Sequence, residues 1–345
     1  MLLHPRTLDL EPCAGQALQA LAGDERFKRE LPAAQLESLC APVATVAEAA
    51  GRLRAARRDL VAALDGRALA AGAGAHPFAA ALGELNDGPR YAALAAEFAS
   101  VARRQLVFGL HVHVAVEGAD RAVAVHDALR SYLPDLAALG ANAPFHEGRD
   151  SGLASVRPTI SGMLPRQGVP PALESWDGFE AALRWGAQAG ALPDVRRWWW
   201  ELRLHPLLGT IEVRVVDTQT TIGETAAVAA VVHALVGWLA ERSAAGERLA
   251  VAPAWRIAEN RWWAAREGLD ARLADLETGV RAPVRGRLAR LLDALEPTSR
   301  RLGCAAELQL ARGLLDGGGG AGNQRAAAGD GLRGLVAWLA GRLLA

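Results

Sequence analysis

Gly209-Thr210-Ile211-Glu212-Val213-Arg214-Val215-Val216-Asp217 reads as a strand in which Ile211, Val213 and Val215 alternate with Glu212 and Arg214. Side chains two apart on a strand point the same way, about 7 Å apart. One face is therefore apolar, and the other sets a carboxylate suited to a metal beside a guanidinium suited to phosphate. A second strand, Leu106 to Val116, puts Leu106, Phe108, Leu110, Val112, Val114 and Val116 on one face. Its other face carries Val107, Gly109, His111, His113 and Ala115, small residues that leave room for a ligand beside two imidazoles. The two strands point to a metal- and phosphate-handling enzyme on an antiparallel sheet.

Each motif taken alone has a plainer reading. His-x-His is equally two polar residues facing solvent, and Glu212 with Arg214 is equally a surface charge pair. The preceding strand shifts the balance. Trp200, Leu202 and Leu204 alternate there with Glu201, Arg203 and His205, and Pro206-Leu207-Leu208-Gly209 suits a hairpin. Antiparallel pairing then joins the two polar faces into a patch of two acids, two arginines and a histidine, costly unless paired or occupied by a ligand. Glu30 and Glu37 around Gln35 form another acidic pair, which alone reads as a solvated face. Of Trp198, Trp199 and Trp200, the alternation assigns Trp200 to the core and the others to its rim.

The helical segments expected are Val43–Ala71, Tyr91–Arg104, Asp120–Leu139 and Trp176–Ala189, and a further helix opened by a capping box at Thr221-Ile222-Gly223-Glu224. Residues Asn142–Pro171, rich in Gly, Pro, Ser and Arg, suit an irregular substrate loop. The glycine run Gly317–Gly320 has no preceding strand and no following lysine, so 306–330 is expected to be a flexible segment. Helices mixed with hairpin-spaced strands argue for an α+β fold.

Composition narrows the chemistry. The chain has 345 residues, 51% apolar and 22% charged, with zero formal net charge. No broad electrostatic surface for nucleic acid follows from that balance. Lys28 is the single lysine, so a Walker-type phosphate loop is excluded and anions must be held by arginine, metal or backbone amides. Cys13, Cys40 and Cys304 are far apart, fit no zinc spacing and suit a reducing cytoplasm. Ala226–Ala240 is shorter than the roughly 20 residues of a membrane span and is expected to be a buried helix.

Several blocks taken together resemble one family. They are Gly109-Leu110-His111-Val112-His113-Val114, Gly148-Arg149-Asp150-Ser151-Gly152, Trp199-Trp200-Glu201-Leu202-Arg203-Leu204-His205-Pro206, the strand 209–217, Glu259-Asn260-Arg261-Trp262 and Gly322-Asn323-Gln324-Arg325. Their order and spacing are similar to the bacterial carboxylate-amine ligases of the glutamate–cysteine ligase type 2 family. The resemblance implies a single catalytic domain over 1–345, with a glutamine-synthetase-like curved antiparallel sheet forming a funnel and helices packed outside. It also implies ATP-dependent joining of the glutamate side-chain carboxylate to the amine of cysteine or another small amine, through an acyl phosphate with magnesium. Glu37, His111 and Glu212 would contact metal or ATP phosphates, Arg214 would hold the transferring phosphoryl group, and Arg203 and Arg157 would take substrate carboxylates. A cytoplasmic enzyme is expected, with no nucleic acid or membrane partner; the sequence leaves open whether it is a homodimer.

One departure stands out. The family's first strand, Gly-x-Glu-Glu-Glu before a short apolar run and Asp-Pro-Arg, is represented here only by Met1-Leu2-Leu3-His4-Pro5-Arg6-Thr7. The expectation is a domain lacking that acidic strand. The alternative function is a catalytically impaired relative that binds nucleotide or amino acid without efficient turnover.

Overall fold

The computed structural model describes residues 1–345. At its centre is a three-stranded sheet of Gly109–Ala115, Thr210–Asp217 and Leu202–His205, with Thr210–Asp217 in the middle. Both pairings are antiparallel. The middle strand is rich in β-branched residues, which fit a pleated, packed surface. Ile211, Val213, Val215 and Val216 are each at most 1% exposed. Gly209 closes the hairpin at φ +64°, a left-handed conformation that a side chain would strain.

Strict alternation breaks in the middle strand. Leu110 pairs with Val216 and Val112 with Val213, so His111 alone stands opposite Arg214 and Val215 together. This is a β-bulge, and the extra residue inverts the facing of everything beyond it. Asp217, opposite Gly109, thereby joins the face that carries Glu212, opposite His113.

Helix Ile222–Ala244 begins at the expected capping box: Thr221 Oγ1 accepts from the Glu224 amide, and the Glu224 carboxylate accepts from the Thr221 amide. It packs against helices Val46–Leu64, Ala119–Leu129, Val284–Arg301 and Ala305–Asp316 and against the sheet. Its buried Ala, Val and Leu residues belong to the main core of 45 residues, each full Val or Leu burial contributing about 1.5–3 kcal/mol. The helix has 23 residues, so the expectation of a segment too short for a bilayer is corrected. By length and composition it could cross a membrane, but 67% of its most apolar window is buried in the fold.

Four two-stranded antiparallel pairs complete the β structure, among them Phe27–Arg29 with Leu36–Ser38. The chain is thus α+β with antiparallel sheets and no closed barrel. Other expectations need amending. The helix foreseen over 120–139 is two, Ala119–Leu129 and Leu133–Leu139, separated by a 3₁₀ turn and restarted at Pro134, which tolerates only a helix's first turn. The helix foreseen over 91–104 breaks at Ala99, where φ is +48°. Trp198, 1% exposed, is the core tryptophan, and Trp200 packs tilted against it at 4.5 Å between ring centroids. Segment 306–330 is helical, with Ala305–Asp316 followed by Gly319–Ala327.

Candidate active site

Glu212, 1% exposed, is the hub of the polar face. Arg203 stands directly opposite it and donates from Nε to Oε2 at 2.6 Å. Arg214, two residues along the strand, donates from Nη1 to Oε1 at 2.5 Å. His111 Nδ1 and His113 Nε2 each lie 3.5 Å from Oε1. Burial works to raise the Glu212 carboxyl's pKa, but Arg214, His111 and Arg203 together hold it far below the usual carboxylate range. A buried charge with this many partners is satisfied, and it fixes the direction of Arg214.

In front of this hub is a cavity of about 350 Å³, lined among others by Glu30, Glu37, Gly109, His111, Arg157 and Arg214. Burial and the Arg214 guanidinium lower the His111 pKa to about 3, so its imidazole is neutral at physiological pH. Arg214 Nη1 approaches His111 Nδ1 at 3.4 Å. With Nδ1 accepting, the hydrogen belongs on Nε2, which becomes a donor; the tautomer is assigned from this bonding.

Arg157, at the start of the short helix Arg157–Ser161, is held from three sides. Its Nε donates to Asp217 Oδ1 at 2.7 Å, and its Nη2 donates to the carbonyls of Arg214 and Val215 at 3.1 and 2.7 Å. Those carbonyls belong to the two bulged residues, so the arginine satisfies backbone groups that the ladder leaves open. Its Nη1 remains. A Cβ built on Gly109 would lie 3.4 Å from both Arg157 Nη1 and His111 Nε2. Glycine therefore keeps open a gap on which two donors converge, a cradle for a carboxylate or phosphate oxygen.

Glu30 and Glu37 come from the Phe27–Ser38 hairpin. Lys28 Nζ lies 2.8 Å from Glu37 and 4.0 Å from Glu30. Burial, then the hydrogen bond and charge of Glu37, push the Glu30 carboxyl above the usual range. Burial acts likewise on Glu37, but Glu30's hydrogen bond, His111 and Lys28 hold it below. The pair thus keeps one proton between two carboxylates. No three His, Cys, Asp or Glu side chains form a closed metal cage. The two carboxylates do fit magnesium, which takes one or two carboxylates and leaves its other positions to water and phosphate. His111, foreseen as a metal contact, has Nδ1 facing Arg214 and a hydrogen on Nε2, and so offers no lone pair to a metal.

Of the six residues foreseen as site residues, the structure brings Glu37, His111, Arg157 and Arg214 to one cavity. Glu212 and Arg203 lie behind that lining. Both Glu212 oxygens are taken by arginines, and Arg203 also donates to the Arg196 carbonyl at 2.9 Å. Neither is presented as an open ligand, because each satisfies the other's buried charge. His113 shares the polar face but bonds Thr210 Oγ1 at 3.0 Å and does not line the cavity.

Three roles escaped the sequence reading. Glu30 stands in the cavity beside Glu37 instead of on a solvated face. Glu201, also in the cavity, is gripped through both oxygens at 2.9 Å by Nε of Arg261, a residue of the 259–262 block. Asp217 anchors Arg157. Its signal was the doublet Val215-Val216, which already violates alternation.

Comparison with known proteins gives the family and the fold. The family model for glutamate-cysteine ligase family 2 matches residues 6–328. A Rubrobacter xylanophilus protein named "Putative glutamate--cysteine ligase 2-3" is 39% identical over 334 residues, covering 94% of this chain and 89% of its own. A Thermobifida fusca protein, "Putative glutamate--cysteine ligase 2", is 37% identical over 316 residues, covering 90% and 79%. Among solved structures, a glutamate–cysteine ligase of Francisella tularensis in complex with AMP superposes with a TM-score of 0.71 at 12% identity, over 100% of this chain and 86% of its own. A bifunctional glutathione synthetase of Pasteurella multocida gives 0.68 at 14% identity, over 93% and 48%. These two share the fold. The chain belongs to glutamate–cysteine ligase family 2, and is with that family an ATP-dependent ligase forming carbon–nitrogen bonds.

Proposed function

We propose that the chain joins the side-chain carboxylate of glutamate to the amine of cysteine, or of another small amine, through an acyl phosphate. A glutamate carboxylate oxygen takes the γ-phosphoryl group of ATP and ADP leaves. The amine nitrogen then bonds the acyl carbon, the carbon–oxygen bond breaks, and phosphate departs as the nitrogen gives up a proton. In this reading the central sheet is one wall of a glutamine-synthetase-like funnel around the reacting groups.

The observation that carries the reading is the convergence of Arg214, His111 and Arg157 on one cavity that also contains Glu30 and Glu37. Arg214, aimed by Glu212, faces charge that builds on the transferring phosphoryl group. Neutral His111 donates from Nε2 to an anionic oxygen, and Arg157 Nη1 takes a glutamate carboxylate beside it. Magnesium, held by Glu30 and Glu37, would neutralise phosphate oxygens.

The test is ADP release by the purified chain with magnesium, ATP, glutamate and a panel of amines that includes cysteine. Release that requires both glutamate and one amine supports the reading. Release indifferent to glutamate overturns it, and nucleotide binding without any release favours the impaired relative.

A further inference from the structure

The glycine-rich helix Gly319–Ala327 is far from the cavity in sequence and does not line it, yet it meets Asn142, whose amide bonds the carboxylate that holds Arg157. Gln324, 1% exposed, donates from Nε2 to Asn142 Oδ1 at 2.7 Å and to the Asn142 carbonyl at 2.8 Å. Asn142, fully buried, donates from its side chain to the Thr218 carbonyl at 2.9 Å and to Thr220 Oγ1 at 3.1 Å. Its backbone amide donates to Asp217 Oδ2 at 2.7 Å. Asp217 Oδ1 accepts from Ser155 Oγ at 3.0 Å and from Arg157 Nε at 2.7 Å. The chain of bonds is continuous from Gln324 to the guanidinium.

Glycine is needed twice along it. A Cβ on Gly320 would lie 2.5 Å from Asn142 Oδ1, and one on Gly74 would lie 2.5 Å from Asp217 Cγ. The helix can reach Asn142 only because position 320 carries no side chain. Packing alone does not call for this: Gln324 Oε1 is buried without a partner, a cost an apolar residue would avoid. Arg325 pins the same helix to Asp150, from Nε to Oδ2 at 2.8 Å.

We infer that Gln324, Asn142 and Asp217 are positioning residues, a tether through which the Gly319–Ala327 helix aims Arg157 at the substrate carboxylate. The inference rests on the substrate role proposed for Arg157. Freed from the tether, the guanidinium gains rotamers that no longer meet His111 Nε2 across Gly109, and glutamate binding weakens while the nucleotide's own contacts stay.

The experiment uses the full chain, three single variants, Gln324→Met, Gly320→Ala and Arg157→Ala, and the double variant of Gln324→Met with Arg157→Ala. It measures glutamate binding by calorimetry with magnesium and a non-hydrolysable ATP analogue, and KM for glutamate and ATP where turnover is present. Gln324→Met and Gly320→Ala should each weaken glutamate roughly tenfold and change ATP less than about twofold. Arg157→Ala should weaken glutamate at least as much. Combining it with Gln324→Met should add little, because both act on one group. If Arg157→Ala weakens glutamate and the two remote variants do not, the tether is overturned and the role of Arg157 stands. If the remote variants weaken glutamate and ATP equally, general loosening replaces positioning and the inference is again overturned. If Arg157→Ala leaves glutamate binding unchanged, the substrate role of Arg157 falls and the inference falls with it.

Discussion

Glu212 Oε1 and Arg214 Nη1, two residues apart on one strand, lie 2.5 Å from each other at the edge of the cavity. The carboxylate is buried and the guanidinium is partly open. An acid that faces inward therefore sets the direction of a cation that lines the cavity.

Arg214→Lys should reduce kcat about 100-fold or more with the fold intact, because an ammonium cannot keep the Glu212 bond and also present a planar donor to a phosphoryl group. Steady-state kinetics and circular dichroism check this together. Unchanged turnover would reduce the strand's polar face to a surface pair.

Glu212→Gln acts on stability first. It leaves the buried Arg203 and the partly open Arg214 as cations facing a neutral amide, a loss of about 3–5 kcal/mol. Urea denaturation measures it. A loss below about 1 kcal/mol, as for an exposed pair, would contradict the hub.

The two histidines of the 109–114 block should separate. His111→Ala removes a donor from the cavity and should weaken ATP or glutamate binding, whereas His113→Ala touches Thr210 and the back of Glu212. Equal, small effects from both changes on affinity and rate would refute the assignment.

Gly109→Ala probes the cradle directly. The added methyl enters the gap between His111 Nε2 and Arg157 Nη1 at 3.4 Å from each. An activity loss of roughly tenfold is expected from the displaced geometry, with little change in thermal midpoint. A fully active variant would show that no substrate atom occupies the gap.

The Glu30–Glu37 pair predicts a pH effect. The folded chain keeps Glu30 protonated where the unfolded chain releases the proton, so its contribution is full below the ordinary carboxylate range and is lost as pH rises through neutrality. Glu37 and Glu212, both depressed, work the other way and lose their contribution as pH falls through the acid range. Without magnesium, the thermal midpoint should decline as pH rises through neutrality, and Glu30→Gln should flatten the decline. Magnesium binding should release a proton from the wild type and none from Glu30→Gln, measurable in weakly buffered solution. Equal proton release by both proteins would remove Glu30 from the metal site.

Much of this was legible in the residues. The alternation of Ile211, Glu212, Val213 and Arg214, the turn at Gly209 and the capping box at Thr221 depend on neighbours within a few positions. Periodicity and backbone preference therefore revealed all three strands of the central sheet, its hairpin and the long helix. Other features were out of reach because they depend on partners distant in the chain. Nothing near Glu30 says that His111 will come beside Glu37 and turn a solvated pair into a cavity wall. Nothing near Gly317–Gly322 says that Asn142 will need bare backbone against it, so glycine there read as slack.

The sequence by itself determined the chemistry available, since a chain with one lysine must meet anions with arginine, metal or backbone amides. It also determined which residues share a strand face up to Arg214. Only the tertiary structure decided which arginines remain open. Arg203 is consumed by Glu212, while Arg157 keeps one nitrogen free because a bulge turns Asp217 toward it and exposes two carbonyls for it to satisfy. One inserted residue shifts a strand's facing by a full position, and a buried charge goes to whichever partner the packing brings within reach.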